Sequence, residues 1–519
     1  MSALRIPVYQ SVRQQILPSG PFMNENRLHA QRSTLTPSPR QARFDGKKMN
    51  LLPELEKLLG ANQVLTGEAA APYLVDWRGR YKGQALAVVR PGSTEEVAAV
   101  VRLCAQHQVP IVPSGGNTGM CGGATPDETG RALVLCLARL NRVRSVDTDN
   151  DTMTVEAGCI LQAVQTAARE AGRLFPLSLA AEGSCTIGGN LSTNAGGTQV
   201  LRYGNTRELA LGLEVVTAEG EIWHGLRGLR KDNTGYDLRD LFIGSEGTLG
   251  IITAATLKLY PLPVAQCTAM LALNSLEDAT AVLSRARAGF GASLTGFEVM
   301  MGTVLQAVVK LFPQQRLPFE GPSAQSPWYA LLELSDSESA EHAQGRFEAV
   351  LGAAIEDGLV TDAAIAESIA QSRAMWHLRE SIPLAEAGLG KSIKHDVSIP
   401  ISLISTFVKT TNAALQVKFP GIQHIVFGHL GDGNLHYNVA RAPEQTEEQL
   451  LAQQYDVYQL VHDSVHAHGG SISAEHGVGQ LKRDELTRYK SPLELALMKQ
   501  IKKALDPQGI MNPGKVLQA

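Results

Sequence analysis

The spacing of apolar and polar positions changes period several times along the chain. Residues 51–60, LLPELEKLLG, keep the spacing of an amphipathic helix. Ala85–Val89 and Val109–Val112 are short apolar runs that read as strands. Between them, Ser93-Thr94-Glu95-Glu96 has the cap and acidic first turn of a helix, and Val97–Gln106 carries helical periodicity. This β-α-β unit ends in PSGGNTGMCGG, residues 113–123. Two more glycine-rich stretches follow: GSCTIGGNLSTNAGG at 183–197, and FIGSEGTLGIIT at 242–253. The last reads as an apolar strand entered through Gly244, Gly247 and Gly250. Cys267–Val360 alternates strand-like runs (TAMLAL, WYALLELS) with helical ones (LEDATAVLSRARA, AEHAQGRFEAVLGAAIEDG), which predicts a mixed α/β module. Leu317–Ser326 reads as an exposed loop, and Trp376–Ala387 as a helix that Pro383 kinks or ends.

The three glycine-rich loops fall within one block, and turns alone are a poor explanation for them. Loops without bulky side chains leave backbone N–H groups free for phosphate oxygens, so a large cofactor lying along backbone is expected. There is no GxGxxG fingerprint and no Walker lysine, so NAD and nucleotide hydrolysis are disfavoured.

At 519 residues the chain exceeds one typical core and predicts two or three domains. A formal net charge of -4 and 5% aromatic residues argue against a nucleic-acid surface. No apolar run reaches the roughly 20 residues that span a bilayer. The six cysteines all precede residue 268 and none forms a CxxC pair, as expected of scattered reduced thiols. Residues 1–48 hold eight Lys/Arg against Glu25 and Asp45 and lack periodicity. They read as a disordered leader or an over-extended start, with Met49 opening the folded part and a cytoplasmic location. The same composition fits a transit peptide, and then the mitochondrial matrix.

Chemistry concentrates near the C-terminus. GHLGDGNLHYN, residues 428–438, sets His429 and His436 either side of a glycine turn; SAEHGVG, residues 473–479, places Glu475 beside His476. Two imidazoles and a carboxylate from a distant loop have the layout of a catalytic metal site with an open position, and the adjacent histidine is a candidate base. By the period of two, Asn438 shares a strand face with His436. His462, His466 and His468 lie in a helical segment and receive no role.

The glycine loops, together with KDNTGYDLRDLFIGSEGTLGIIT, resemble the FAD-binding domain of the vanillyl-alcohol oxidase / p-cresol methylhydroxylase superfamily. GHLGDGNLHYN, SAEHGVG and ALDPQGIMNPGK resemble the flavin-dependent D-2-hydroxyacid dehydrogenases of that superfamily, the D-2-hydroxyglutarate dehydrogenases above all, over about residues 50–519. The resemblance implies an α+β fold: a two-subdomain FAD-binding domain of p-cresol methylhydroxylase type over 49–262, an α/β substrate (cap) domain over 263–425, and a C-terminal segment, 426–519, that carries the metal loops and returns to the FAD domain. It places Pro113, Gly115, Gly116, Asn117, Thr118 and Gly119 at the diphosphate. Gly183, Ser184, Gly188, Gly189, Asn194 and Gly197 line the flavin, Glu246, Gly250 and Ile252 lie on the adenosine and ribityl side, and Asn512 returns to the flavin. Asn117 stands where some relatives carry a flavin-linking histidine, so non-covalent FAD is expected.

The resemblance further implies a divalent metal, zinc by preference, on His429, His436 and Glu475. His476 takes the hydroxyl proton while hydride passes to flavin N5, and Asn438 hydrogen-bonds the substrate. Arg379 and Lys394 fall at motif positions that bind a distal carboxylate. Two unpaired cations in a buried pocket would be costly, so keeping both favours a dicarboxylate, D-2-hydroxyglutarate first. Pro383 departs from the pattern, standing where that family has a threonine. D-Lactate, D-malate and glycolate therefore stay open, as do O₂ as acceptor and a non-catalytic flavin subunit of a larger complex. The expected partners are a small D-2-hydroxyacid and an acceptor such as an electron-transfer flavoprotein or the quinone pool, in a homodimer.

Overall fold

Ser93 caps the helix Thr94–His107 by accepting the Glu96 N–H, so the chain turns back over the strands it has just left. The strands Val64–Leu65, Ala87–Val89, Leu133–Cys136 and Ile111–Ser114 lie side by side in that order. The last three run parallel. Every residue of Leu133–Cys136 is buried, as expected of a strand covered on both faces. The computed structural model that shows this describes residues 51–388 and 390–518; the basic leader 1–48 and the start at Met49 lie outside the described residues.

A second, antiparallel sheet takes the order Val143–Asp147, Thr152–Glu156, Ile251–Lys258, Ala210–Val216, Ile222–Gly225. The glycine loops run between these two sheets. A third sheet of eight strands forms the rest of this α+β fold. Its main path is Asp362–Ile365, Ala265–Leu273, Trp328–Asp336, Leu294–Met301, Gln423–Gly428, Asn434–Ala440 and Ser392–Ile393, with Asp396–Ser398 also paired to Asn434–Ala440. Helices Leu276–Phe290 and Ala340–Glu356 cover one face through Val282, Phe290 and Phe347. Helices Gly302–Leu311 and Ile369–Glu380 cover the other through Leu305, Met375 and Leu378. The C-terminus crosses back to the first sheet, where Met511 bridges to Ile111.

The structure departs from the sequence reading in four places. Residues 242–253 are not one strand. Positive φ at Gly244 (79°), Glu246 (52°) and Gly247 (70°) coils the segment, and the strand begins at Ile251. Residues 317–326 are not a wholly exposed loop, because Phe319 is buried against the helix-covered face. The helix expected over 376–387 is two helices, Ile369–Glu380 and Ile382–Gly388, with Pro383 in the first turn of the second, where its missing N–H costs least. Finally, the division expected between residues 425 and 426 falls inside the strand Gln423–Gly428. That strand pairs with Leu294–Met301, so the histidine turn belongs to the same eight-stranded sheet as the strands before it.

Candidate active site

The histidine turn is built on the strands Gln423–Gly428 and Asn434–Ala440. Gly428 has φ 157°, and a Cβ there would lie 2.5 Å from the Asn434 carbonyl oxygen, so the turn that presents His429 requires glycine. His429 and His436 have ring centroids 5.7 Å apart, and His429 Nε2 lies 3.6 Å from Glu475 Oε1. One ligand atom from each of His429, His436 and Glu475 falls within 4.8 Å of the others. A second set, Asp396, His436 and His476, meets the same limit. The first set is the better cation site, because the Asp396 carboxylate is already engaged. Its Oδ2 accepts the backbone N–H of both Glu475 and His476 at 2.9 Å, and its Oδ1 accepts Asn434 Nδ2 at 3.0 Å.

Two carboxylates here were invisible in the sequence. Glu298, fully buried on the strand Leu294–Met301, lies 2.7 Å from His429 Nδ1. A carboxylate on one imidazole nitrogen fixes which nitrogen faces a metal and makes it more basic. Burial alone would lower the His429 pKa; Glu298 and then Glu475 outweigh it and push it up to about 9. Burial raises Glu475, against the pull of His429. A cation taking these ligands therefore displaces protons. Asp396 is the other hidden group. Burial would raise it, yet His476, Lys482 and His436, with the Glu475 N–H, hold it well below the usual carboxylate range. His476 stacks 6.0 Å from His436, and burial lowers its pKa despite Asp396. A neutral His476 is a proton acceptor.

Arg379 and Lys394 are not unpaired cations, which removes the argument that keeping both calls for a dicarboxylate. Arg379 Nε donates to Glu298 Oε2 at 2.7 Å, and its guanidinium lies 5.1 Å from the Phe427 ring centroid. Lys394 Nζ donates to Glu386 Oε2 at 2.6 Å. Asn438 is also committed within the protein: its Oδ1 accepts the His395 N–H at 3.0 Å and its Nδ2 donates to Glu386 at 3.1 Å.

Beside the histidines lies a cleft lined by Pro113, Gly115, Gly119, Gly188, Gly189, Glu246 and His476. A Cβ on Gly116 would lie 2.0 Å from the Ser184 carbonyl oxygen, so the first two glycine loops touch through bare backbone. Asn117 donates to the Val75 carbonyl at 2.9 Å, and Thr118 follows it in the same loop. Gly183 and Ser184 form the facing loop; Asn194, left-handed at φ 51°, ends the helix Ile187–Thr193, and Gly197 packs on the Ser178 carbonyl. Gly250 and Ile252 do not face the cleft: they pack in the core of the antiparallel sheet, against Phe242 and Val215 in the case of Gly250.

Glu246 is a strut, its carboxylate accepting the N–H groups of Val478 and Gly479 at 2.7 and 2.8 Å. Asn512 donates to the carbonyls of Gly123 and Glu246, and its Oδ1 is buried without a partner. Gly196, at the end of the second loop, has the Glu475 carboxylate 3.1 Å from its Cβ position. The cleft and the histidine set thus share a wall. The cleft suits FAD, because glycine backbone is open to it, with nothing within 4 Å of the Gly119 Cβ position, and Asn512 leaves a buried acceptor for a ligand donor.

Fold and cleft define an FAD-dependent oxidoreductase. The FAD binding domain family matches residues 85–225, and the C-terminal domain family of FAD linked oxidases matches residues 262–516. p-Cresol methylhydroxylase with substrate bound superposes with a TM-score of 0.71 at 18% identity, covering 91% of this chain and 97% of that one. 4-Ethylphenol oxidase from Gulosibacter chungangensis gives 0.69 at 20% identity with the same coverages, 91% and 97%. Among curated proteins, D-2-hydroxyglutarate dehydrogenase of Xanthomonas citri pv. viticola is 42% identical over 446 residues, 85% of this chain and 91% of that protein. The mitochondrial D-2-hydroxyglutarate dehydrogenase of Bos taurus is 39% identical over 469 residues, 90% and 83%. The chain belongs to the FAD-linked D-2-hydroxyacid dehydrogenases.

Among the described residues, no helix is long and apolar enough to cross a membrane.

Proposed function

We propose that the protein oxidises D-2-hydroxyacids to 2-oxoacids, with a divalent cation, zinc by its ligand set, on His429, His436 and Glu475 and with His476 as the base. The observation that carries this reading is that His476 lines the glycine-loop cleft while stacking on His436 of the histidine set. When bound, non-covalent FAD takes up two electrons and the cation lowers the pKa of a ligated hydroxyl.

The chain supplies the rest. Neutral His476 receives the hydroxyl proton, and burial favours the neutral form it starts from. Asp396 holds Glu475 and His476 in place through their backbone N–H groups. Arg379 receives a substrate carboxylate: Glu298 takes its Nε, and among the described residues its two Nη groups make no hydrogen bond. Asn438 acts through Glu386 rather than on substrate. D-2-Hydroxyglutarate, which the relatives' names bring, is one of the acids turned over; D-lactate and D-malate are the others to compare. The electrons leave to an acceptor such as an electron-transfer flavoprotein or the quinone pool.

The test is anaerobic bleaching of the bound flavin by paired D- and L-2-hydroxyacids. Bleaching by the D-acids alone is expected. Bleaching by L-acids only, or by none, overturns the reading.

A further inference from the structure

The strand Ile251–Lys258 begins just after Gly247, which lines the glycine-loop cleft, and ends at Lys258, which lines a second cavity of about 660 Å³. The length of the strand, roughly 23 Å at the usual rise per residue, separates the two, and they share no lining residue. The second cavity has the size of a small-molecule site.

Its charge is one-sided. Arg227, Arg230, Lys231, Arg239 and Lys258 line it against only two acids, Asp232 and Asp237. Both acids are already taken: Arg227 Nη1 lies 3.0 Å from Asp232 Oδ2, and Arg239 Nη2 lies 2.6 Å from Asp237 Oδ2. Three cations remain. Among the described residues Arg230 donates to the Asn150 carbonyl and pairs with no carboxylate, and Lys231 and Lys258 make no hydrogen bond or ion pair. Burial, then Arg239 and Arg230, push the pKa of half-buried Lys258 down against the weaker pull of Glu208 and Asp240. A bound anion would offset those crowded charges. The rest of the lining includes apolar side chains that stand in water: Tyr236 is 96% exposed, Leu229 54% and Leu238 42%.

We propose that this cavity binds a nucleoside di- or triphosphate, with its phosphates on Arg230, Lys231 and Lys258 and its base against Tyr236, Leu229 and Leu238. Arginine and lysine give phosphate oxygens charge-assisted hydrogen bonds, and a tyrosine ring offers a face on which any base stacks. The site is independent of the oxidation proposed above, and it fills while FAD occupies the cleft.

The experiment is calorimetric titration of the FAD-loaded protein with ADP and, as the bare anion, with inorganic pyrophosphate. One ADP per chain is expected, bound more weakly as salt rises, with pyrophosphate weaker still. Lys231→Gln/Lys258→Gln weakens both ligands by about tenfold or more, the scale of one charge-assisted hydrogen bond, while its flavin content stays that of wild type. Tyr236→Ala weakens ADP about fivefold, the lower range for a stacked base, and leaves pyrophosphate unchanged. No binding of ADP at millimolar concentration, or undiminished binding in the double variant, overturns the site. Pyrophosphate binding as tightly as ADP, with no effect of Tyr236→Ala, overturns the nucleoside. Should the double variant fail to fold, Lys231→Gln alone changes an exposed residue and is expected to cost about threefold or more; unchanged affinity there also overturns the proposal.

Discussion

The cleft and the histidine face meet at Glu475 and His476, yet they are made in opposite ways. The cleft is a backbone site. Its walls are loops whose glycines let Gly116 lie against the Ser184 carbonyl and leave Gly119 open. The histidine face is a side-chain site on a sheet, where His429, His436, Arg379 and Lys394 are each held by a carboxylate or strand partner from elsewhere in the chain. A backbone site tolerates change in the surrounding side chains but not an added Cβ. A side-chain site tolerates small backbone shifts but not the loss of a charge partner.

Three substitutions probe that difference. The largest effect is expected of His476→Ala, which lowers turnover by at least ~10²-fold while leaving FAD bound. Rapid-mixing kinetics with flavin absorbance checks both; near-normal turnover removes the proposed base. Glu298→Gln acts on the same face at one remove, weakening metal affinity about 10- to 100-fold through misoriented His429. Competition with a chromophoric chelator measures it, and unchanged affinity would make Glu298 a partner of Arg379 alone. Gly116→Ala breaks the other region, forcing apart two loops whose backbones touch. It weakens FAD retention by about tenfold, from ~1–3 kcal/mol of overpacking, with the histidine set's metal affinity intact. Equal loss of flavin and metal in that variant would mean the two regions are not separable.

The same contrast explains what could be read from residues alone. Glycine clusters declare a backbone site because each glycine is itself the feature, and PSGGNTGMCGG lines the cleft through Gly115 and Gly119. His429, His436, Glu475 and His476 were legible because they sit in two short stretches. Their partners were not. Glu298 reaches His429 across 131 residues and Arg379 across 81, through strand pairing that no local period reveals. Glu386 is eight residues from Lys394, within reach of sequence reasoning, but helix Ile382–Gly388 had to be seen to end beside the strand before the pair appeared. Missing that pair made two cations look unpartnered and tilted the expectation toward a dicarboxylate. Glu246 illustrates the converse: the resemblance placed it beside the cofactor, but only the structure shows that its buried carboxylate, at the cleft wall, ties down the backbone that carries His476.

The central claim is that the two regions act on one substrate. The most direct measurement strips divalent metal from the flavin-loaded protein with a chelator and follows anaerobic flavin reduction by a D-2-hydroxyacid, before and after zinc is restored. The expected result is flavin that stays bound throughout, is not reduced without the metal, and is reduced again when zinc returns. Reduction at an undiminished rate in the stripped protein would contradict the account.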